Sequence, residues 1–280
     1  MIKINNFAFQ GSNGAYSELA GKNVFPNAKS ISCSTFEEMF QSVRNEIAQA
    51  AIVPIENSQA GRVADTQRLI PESDLKIIGE YFLDVNHNLL VVPGTKMPDI
   101  KRIHSHEQGI AQCRNKIITL KKEMIVNADT AGSAKKISEL NSREDAAIAS
   151  ELSSKIYNLE ILESNFQDAK YNVTRFLIMS KDMLSFQINE SDLITTLVFT
   201  VRSIPASLYK CLGGFASNGV NITKLESYIH PQGFDVAQFY IDFEGHPENP
   251  SVKLALEEMK FFCSHISILG VYKKSEFRKK

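Results

Sequence analysis

Between Leu75 and Val92 the sequence abandons one folding pattern, and near Leu159 it returns to it; this constrains the fold more than any other feature. Up to Ile70, short apolar runs alternate with helical patterns, the signature of helices packed on a largely parallel sheet. Phe7–Gln10 reads as a strand running into Gly11-Ser-Asn-Gly14, whose flexible backbone can turn sharply into a helix starting near Ala15–Ser17. Thr35 and Glu38 have capping-box spacing, which predicts a helix over Phe36–Glu46. Ala50–Ile55 is the next buried strand, followed by Pro54-Ile-Glu-Asn-Ser58 and a helix over Val63–Ile70 that Pro71 should stop. Long extended stretches then lead to Pro93-Gly94, as expected of a crossing between two lobes.

A second small α/β unit follows. Ser105 and Gln108 form a capping box ahead of a helix over Ile110–Ile118, Asp129-Thr-Ala-Gly-Ser133 introduces another, and Asp145–Ala149 is its strand. Leu159–Leu162 and Val173–Met179 are strands that carry the chain back. Two crossings imply a hinge. After the polar connector Ser180–Asp192 the pattern resets to strand Thr195–Val201, helix Ser207–Asn218, strand Asn221–Tyr228, a hairpin turn marked by Gly233, strand Asp235–Phe243, helix Ser251–Cys263 and strand Ile266–Val271. That order is βαββαβ, the ferredoxin-like split βαβ arrangement.

Charge and composition narrow the function classes. Lys and Arg total 31 against 32 Asp and Glu, so no whole-chain field draws this protein to nucleic acid. The longest apolar runs fall far short of the roughly 18–20 residues a membrane helix needs, and the alternating start Met1–Gln10 does not resemble a secretory signal. These features predict a cytoplasmic protein. Cys33, Cys113, Cys211 and Cys263 lie far apart, which predicts reduced, mostly buried thiols. His104-Ser-His106 has no third ligand nearby, so no metal is expected there. Gly11-Ser-Asn-Gly14 matches neither a dinucleotide fingerprint nor a P-loop, and Ser17 lacks the spacing of a hydrolase nucleophile elbow.

Four segments place polar or small residues before a predicted helix or after a strand: Gly11–Ser17, Glu56–Gly61, His104–Gln108 and Asp129–Ser133. Converging helix N-termini would suit a small dianion, while taken singly each segment also reads as an ordinary cap. Asn172-Val-Thr-Arg-Phe176 sets a fixed charge beside a hydroxyl and a carboxamide. Arg175 either grips a carboxylate or is a surface Arg at a strand end. Strand alternation puts Thr174 and Phe176 on one face and Arg175 on the other.

Gln10-Gly-Ser-Asn-Gly-Ala-Tyr-Ser-Glu18, Val53-Pro-Ile-Glu-Asn-Ser58, Ser105-His-Glu-Gln-Gly-Ile-Ala-Gln-Cys113 and Asn172-Val-Thr-Arg-Phe176, in this order and spacing, resemble bacterial monofunctional prephenate dehydratase with a C-terminal ACT domain. The resemblance covers almost the whole chain. It implies a two-lobed, periplasmic-binding-protein-like catalytic unit over residues 1–182, with lobes of about 1–80 plus 160–182 and 81–159, then an ACT domain over 193–275. It implies loss of carbon dioxide and water from prephenate to give phenylpyruvate, in phenylalanine biosynthesis, without metal or redox cofactor. Thr174 would hydrogen-bond the leaving hydroxyl, and Arg175 would hold a carboxylate or the lobe geometry. Asn57, Ser105 and Gln112 match cleft positions of the family, with Ser17, Ser58, Thr130, Asn172 and Phe176 as further substrate-binding candidates. Glu56 lies at the site or is structural, since an ionised carboxylate repels a dianion.

In the ACT part, Pro205-Ala-Ser-Leu208 stands where the family has Gly-Ala-Leu-Val, and Lys224-Leu-Glu-Ser-Tyr-Ile229 keeps the Glu-Ser half of Glu-Ser-Arg-Pro. Ala206, Ser207, Leu208, Asn221, Ile222, Glu226 and Ser227 are thereby candidates for binding phenylalanine across a subunit interface, in a homodimer or homotetramer. The competing expectation is a catalytically silent amino-acid sensor. A fused chorismate mutase is not expected, because the chain starts directly at the first dehydratase strand.

Overall fold

The computed structural model describes residues 3–230 and 233–279, so the expected hairpin turn beside Gly233 lies partly outside the described residues. Its backbone divides into two compact units: Ile4–Gln67 with Tyr81–Phe176, and Arg68–Glu80 with the chain from Leu177 onward.

The first unit begins as the alternation predicts. Strand β1 (Asn6–Gln10) is followed by α1 (Tyr16–Val24), β2 (Lys29–Cys33), α2 (Phe36–Arg44), β3 (Ala50–Asn57), a two-residue β4 (Gly61–Arg62) and α3 (Ala64–Glu72), whose end, with most of the next strand β5 (Lys76–Asp84), already belongs to the second unit. Phe7, Ala8 and Phe9 are fully buried, as are Ala50–Val53, so β1 and β3 form the parallel centre of a sheet. Helix α2 starts where the capping box put it, with Glu38 N–H donating to Thr35 Oγ1 at 3.1 Å. Pro71 does not stop α3 and lies inside its last turn. The turn into α1 needs glycine at position 14: its φ is +94°, and a Cβ there would sit 2.5 Å from Ser153 Oγ.

The expected second lobe holds β6 (Asn88–Val91), β7 (Arg102–His106), α4 (Glu107–Gln112), α5 (Arg114–Thr119), β8 (Glu123–Asn127), α6 (Thr130–Leu140), β9 (Asp145–Ala149), α7 (Glu151–Ile156) and β10 (Glu160–Glu163). Its sheet runs β10-β6-β9-β7-β8, with Leu89, Val91, Ile103, Ile148 and Phe166 in one buried cluster. Two expectations fail here. The predicted helix 110–118 is two short helices broken at Cys113. Ser105 is not a cap: it ends up inside β7, donating to the Ile148 carbonyl at 2.8 Å, while the cap of α4 is the His106 ring, which accepts from Gln108 N–H at 3.2 Å. The returning strand β11 (Val173–Ser180) joins the first sheet, whose order is β2-β1-β3-β11-β5 with β4 paired to β3.

The second unit contains the predicted βαββαβ order: β12 (Leu193–Val201), α8 (Ser207–Ser217), β13 (Ile222–His230), β14 (Gly233–Glu244), α9 (Pro250–Phe262) and β15 (Cys263–Lys273). The sheet is antiparallel in the order β13-β14-β12-β15. Asn249 accepts from Ser251 N–H and Pro250 opens α9 with a preset φ, after which Val252, Ala255, Leu256 and Met259 turn one stripe into the core. Phe199 stacks on Phe239 at 5.2 Å, and Phe215 meets Phe243 at 5.1 Å. Gly270 of β15 lies so close to β5 that a Cβ there would fall 2.1 Å from the Ile77 carbonyl oxygen. Beside it Arg278 grips the buried Glu80 carboxylate with two hydrogen bonds, 2.7 and 2.9 Å. All four cysteines are free and buried, as expected. Among the described residues, no helix is long and apolar enough to cross a membrane.

Candidate functional site

Residues far apart in sequence meet where β3 ends and β11 begins. Pro54 to Asn57 closes β3 with a polar end, and Asn57 folds back so that its Oδ1 accepts from the N–H groups of Gln59 (2.9 Å) and Ala60 (2.8 Å). That leaves its amide nitrogen as the donor side. Asn57 Nδ2 donates to Thr174 Oγ1 at 2.9 Å and to Asn172 Oδ1 at 2.8 Å. Asn172 Nδ2 in turn donates to Gln112 Oε1, 2.9 Å away at the end of α4. The start of β11 is fixed by Ser58, whose N–H donates to the Val173 carbonyl and whose hydroxyl accepts from Val173 N–H.

The cluster is therefore Asn57, Asn172, Thr174 and Gln112, four of the residues singled out from sequence. In it the carbonyl oxygens of the amides and the Thr174 oxygen already accept hydrogen bonds. The Gln112 amide N–H groups and the Thr174 O–H have no acceptor among the described residues. Donors aimed outward and acceptors turned inward suit an anion carrying a hydroxyl leaving group.

Other expected site residues divide. The half-buried hydroxyls of Ser17, on α1, and Thr130, at the start of α6, make no hydrogen bond among the described residues and remain available to a ligand. Ser58 serves the strand start, and Ser105 is spent on Ile148. Phe176 is buried in the core. Arg175 does not join the cluster: only 2% exposed, it points to the opposite face, as strand alternation requires, where Nη1 lies 3.1 Å from Glu56 Oε1 and the guanidinium sits 6.0 Å from the centre of the Phe82 ring. Glu56 thus pairs with Arg175.

Sequence reasoning missed His87 and assigned no role to Tyr16. His87 Nε2 lies 2.7 Å from Gln112 Oε1, and Tyr16 Oη lies 2.8 Å from His87 Nδ1, the two rings meeting edge-on at 5.4 Å. Tyr16 belongs to the first motif, but His87 stands in an extended run with nothing beside it to mark it. Burial pushes the His87 imidazole below its ordinary pKa, against the hydrogen bond to the Gln112 oxygen that raises it, and burial of the phenol oxygen holds Tyr16 well above its own. A histidine lowered on folding takes its proton first in the unfolded chain, so stability present at neutral pH is lost as pH falls below about 6.5 toward the native pKa. Thermal melts should show this slope in the wild type and a shallower one in His87→Gln; parallel slopes would reject it.

The expected phenylalanine-site residues fall in two places. Ala206, Ser207 and Leu208 line a cavity of about 510 Å³ with Arg202, Ala237 and Phe239. Ala206 sits there at φ +61°, in the left-handed region that non-glycine residues seldom adopt. Asn221 lines a separate cavity of about 310 Å³ with Glu244 and Asn249. Glu226 pairs with Lys224 at 2.8 Å, Ile222 packs on the core, and Ser227 is exposed.

Residues 7–184 match the family described as PDT, prephenate dehydratase. The chain is 44% identical to a bifunctional N-acyl-homoserine lactone acylase/prephenate dehydratase of Komagataeibacter europaeus, over 98% of this chain and 97% of that protein. It is 36% identical to the chloroplastic arogenate dehydratase/prephenate dehydratase 2 of Arabidopsis thaliana, over 95% of this chain and 72% of that one. The crystal structure of the Arthrobacter aurescens prephenate dehydratase in complex with L-Phe superposes with a TM-score of 0.88 at 30% identity, covering 96% of this chain and 90% of that chain. With the four sequence motifs, three of which supply the donor cluster at Thr174, these matches lead to one conclusion: the chain belongs to the prephenate dehydratase family and is a dehydratase.

Proposed function

We propose that the protein converts prephenate to phenylpyruvate and that phenylalanine inhibits it. The observation that carries the catalytic half is the Thr174 hydroxyl, whose oxygen is occupied by Asn57 and whose proton is free to donate. In the reaction the bond between the ring and its carboxylate breaks, its electron pair enters the ring, and the bond to the ring hydroxyl breaks on the far side. Carbon dioxide leaves, the hydroxide takes up one proton to leave as water, and the ring becomes aromatic. Threonine is outside the range of ordinary titrating side chains, so Thr174 stabilises the departing oxygen by a hydrogen bond that strengthens as charge develops. The Gln112 amide, with the Ser17 and Thr130 hydroxyls, holds the carboxylates.

The catalytic part spans about residues 1–182 and an ACT domain spans 193–275. Phenylalanine would bind between Ala206–Leu208 of one protomer and Asn221 with Glu226 of another, in a homodimer or homotetramer. A dual activity is the second reading, favoured by the 44% identity to a bifunctional acylase/dehydratase.

The test incubates purified protein with prephenate in EDTA, with and without phenylalanine, and follows phenylpyruvate absorbance; N-acyl-homoserine lactone is offered in a parallel reaction. Turnover suppressed by phenylalanine is expected. No turnover by folded protein would favour the silent sensor, and release of homoserine lactone would establish the dual activity. Glu226→Ala should raise the phenylalanine concentration for half-inhibition by about tenfold or more, the effect of losing a charged hydrogen bond. Equal values for both proteins would remove Glu226 from the site.

A further inference from the structure

The direction of every hydrogen bond around Thr174 can be followed outward from one fixed point. Two backbone N–H groups hold Asn57 Oδ1, so this amide cannot flip. Its nitrogen must face Asn172 Oδ1, which makes Asn172 Nδ2 the donor to Gln112 Oε1. His87 Nε2 lies 2.7 Å from the same Gln112 oxygen, and two acceptors cannot bond each other. Nε2 therefore carries the ring proton. Nδ1 is then bare and accepts from Tyr16, whose O–H would otherwise turn to the Asn86 carbonyl, 3.0 Å away. The other tautomer would force Gln112 to turn its amide over and present a carbonyl oxygen where it now presents N–H groups.

We propose that His87, held by Tyr16 as the Nε2–H tautomer, is a positioning residue that locks Gln112 with its carbonyl inward and its amide N–H groups toward the anionic substrate. Neither ring needs to touch the substrate. The proposal rests on the dehydratase reading for its consequence, though not for its geometry. A donor lost from a carboxylate that is bound in both ground state and transition state raises KM more than it lowers kcat.

His87→Phe keeps a ring but removes the donor, and should raise KM for prephenate by about tenfold, the lower end for a hydrogen bond to a charged group, with kcat within about threefold. His87→Gln places an amide N–H near Nε2 and should recover KM to within about threefold of wild type. Tyr16→Phe should raise KM in the wild-type background but not in His87→Gln, because that side chain has no second ring nitrogen to fix. A His87→Gln protein as impaired as His87→Phe, or a Tyr16→Phe effect of equal size in both backgrounds, would reduce both residues to packing. Independently of turnover, nitrogen NMR of the full-length wild-type protein with labelled histidine should find the His87 proton on Nε2 at neutral pH, and an Nδ1–H form would overturn the proposal. Absence of wild-type turnover would instead sink the dehydratase reading, leaving the spectrum to decide this one.

Discussion

Thr174→Val should lower kcat for prephenate by about a thousandfold, or ~4 kcal/mol of transition-state stabilisation, the upper end for removing one positioned hydrogen-bond donor. Valine keeps the shape of threonine and removes only the oxygen. Asn57 loses one acceptor but stays oriented by Asn172 and by the two backbone N–H groups on its Oδ1. KM should therefore change by less than about threefold, because the lost interaction grows only as the hydroxyl departs. Thr174→Ser restores a donor on a less restrained side chain and should recover most of the rate. If the valine protein kept more than about a tenth of wild-type kcat, stabilisation of the leaving hydroxyl would belong to another group.

That Thr174 and Arg175 would part company was legible, since neighbours on a strand face opposite ways whatever the fold. So was the βαββαβ unit, where strand alternation and the apolar spacing of Val252, Ala255, Leu256 and Met259 agree with the Asn249 cap and the Pro250 start of α9. Asp145–Ala149 was read to the residue, because five consecutive buried positions leave no other pattern. Strands β7 and β8 were not: Arg102-Ile-His-Ser-His106 carries four polar side chains, and partners such as Asp145 come from elsewhere in the chain. The cap of α4 failed for a related reason. A capping box is a local rule, and Ser105 found a stronger partner in the Ile148 carbonyl across the sheet, leaving His106 to cap. The same limit hid His87, whose meaning comes only from two residues 71 positions before it and 25 after it.

Arg175→Met is expected to act on stability first. The guanidinium is the largest fully buried side chain, paired with Glu56 and lying over Phe82. Methionine fills similar space, but Glu56, itself only partly exposed, loses the Arg175 guanidinium. Removing one partner of a buried pair costs about 3 kcal/mol, which for a protein of this size lowers the melting temperature by about 6–12 °C. The pair is shielded on the arginine side, so added salt should recover little of the loss. Below its melting point the variant should turn over with kcat at least tenfold above that of Thr174→Val, since Arg175 faces away from the donor cluster. Were Arg175 instead to grip a substrate carboxylate, the variant would melt near wild type and show KM raised about a hundredfold, a pattern opposite in both measurements. A melting loss with KM nearly unchanged therefore assigns the arginine to holding β11 against β3, which sets the distance between Thr174 and Asn57.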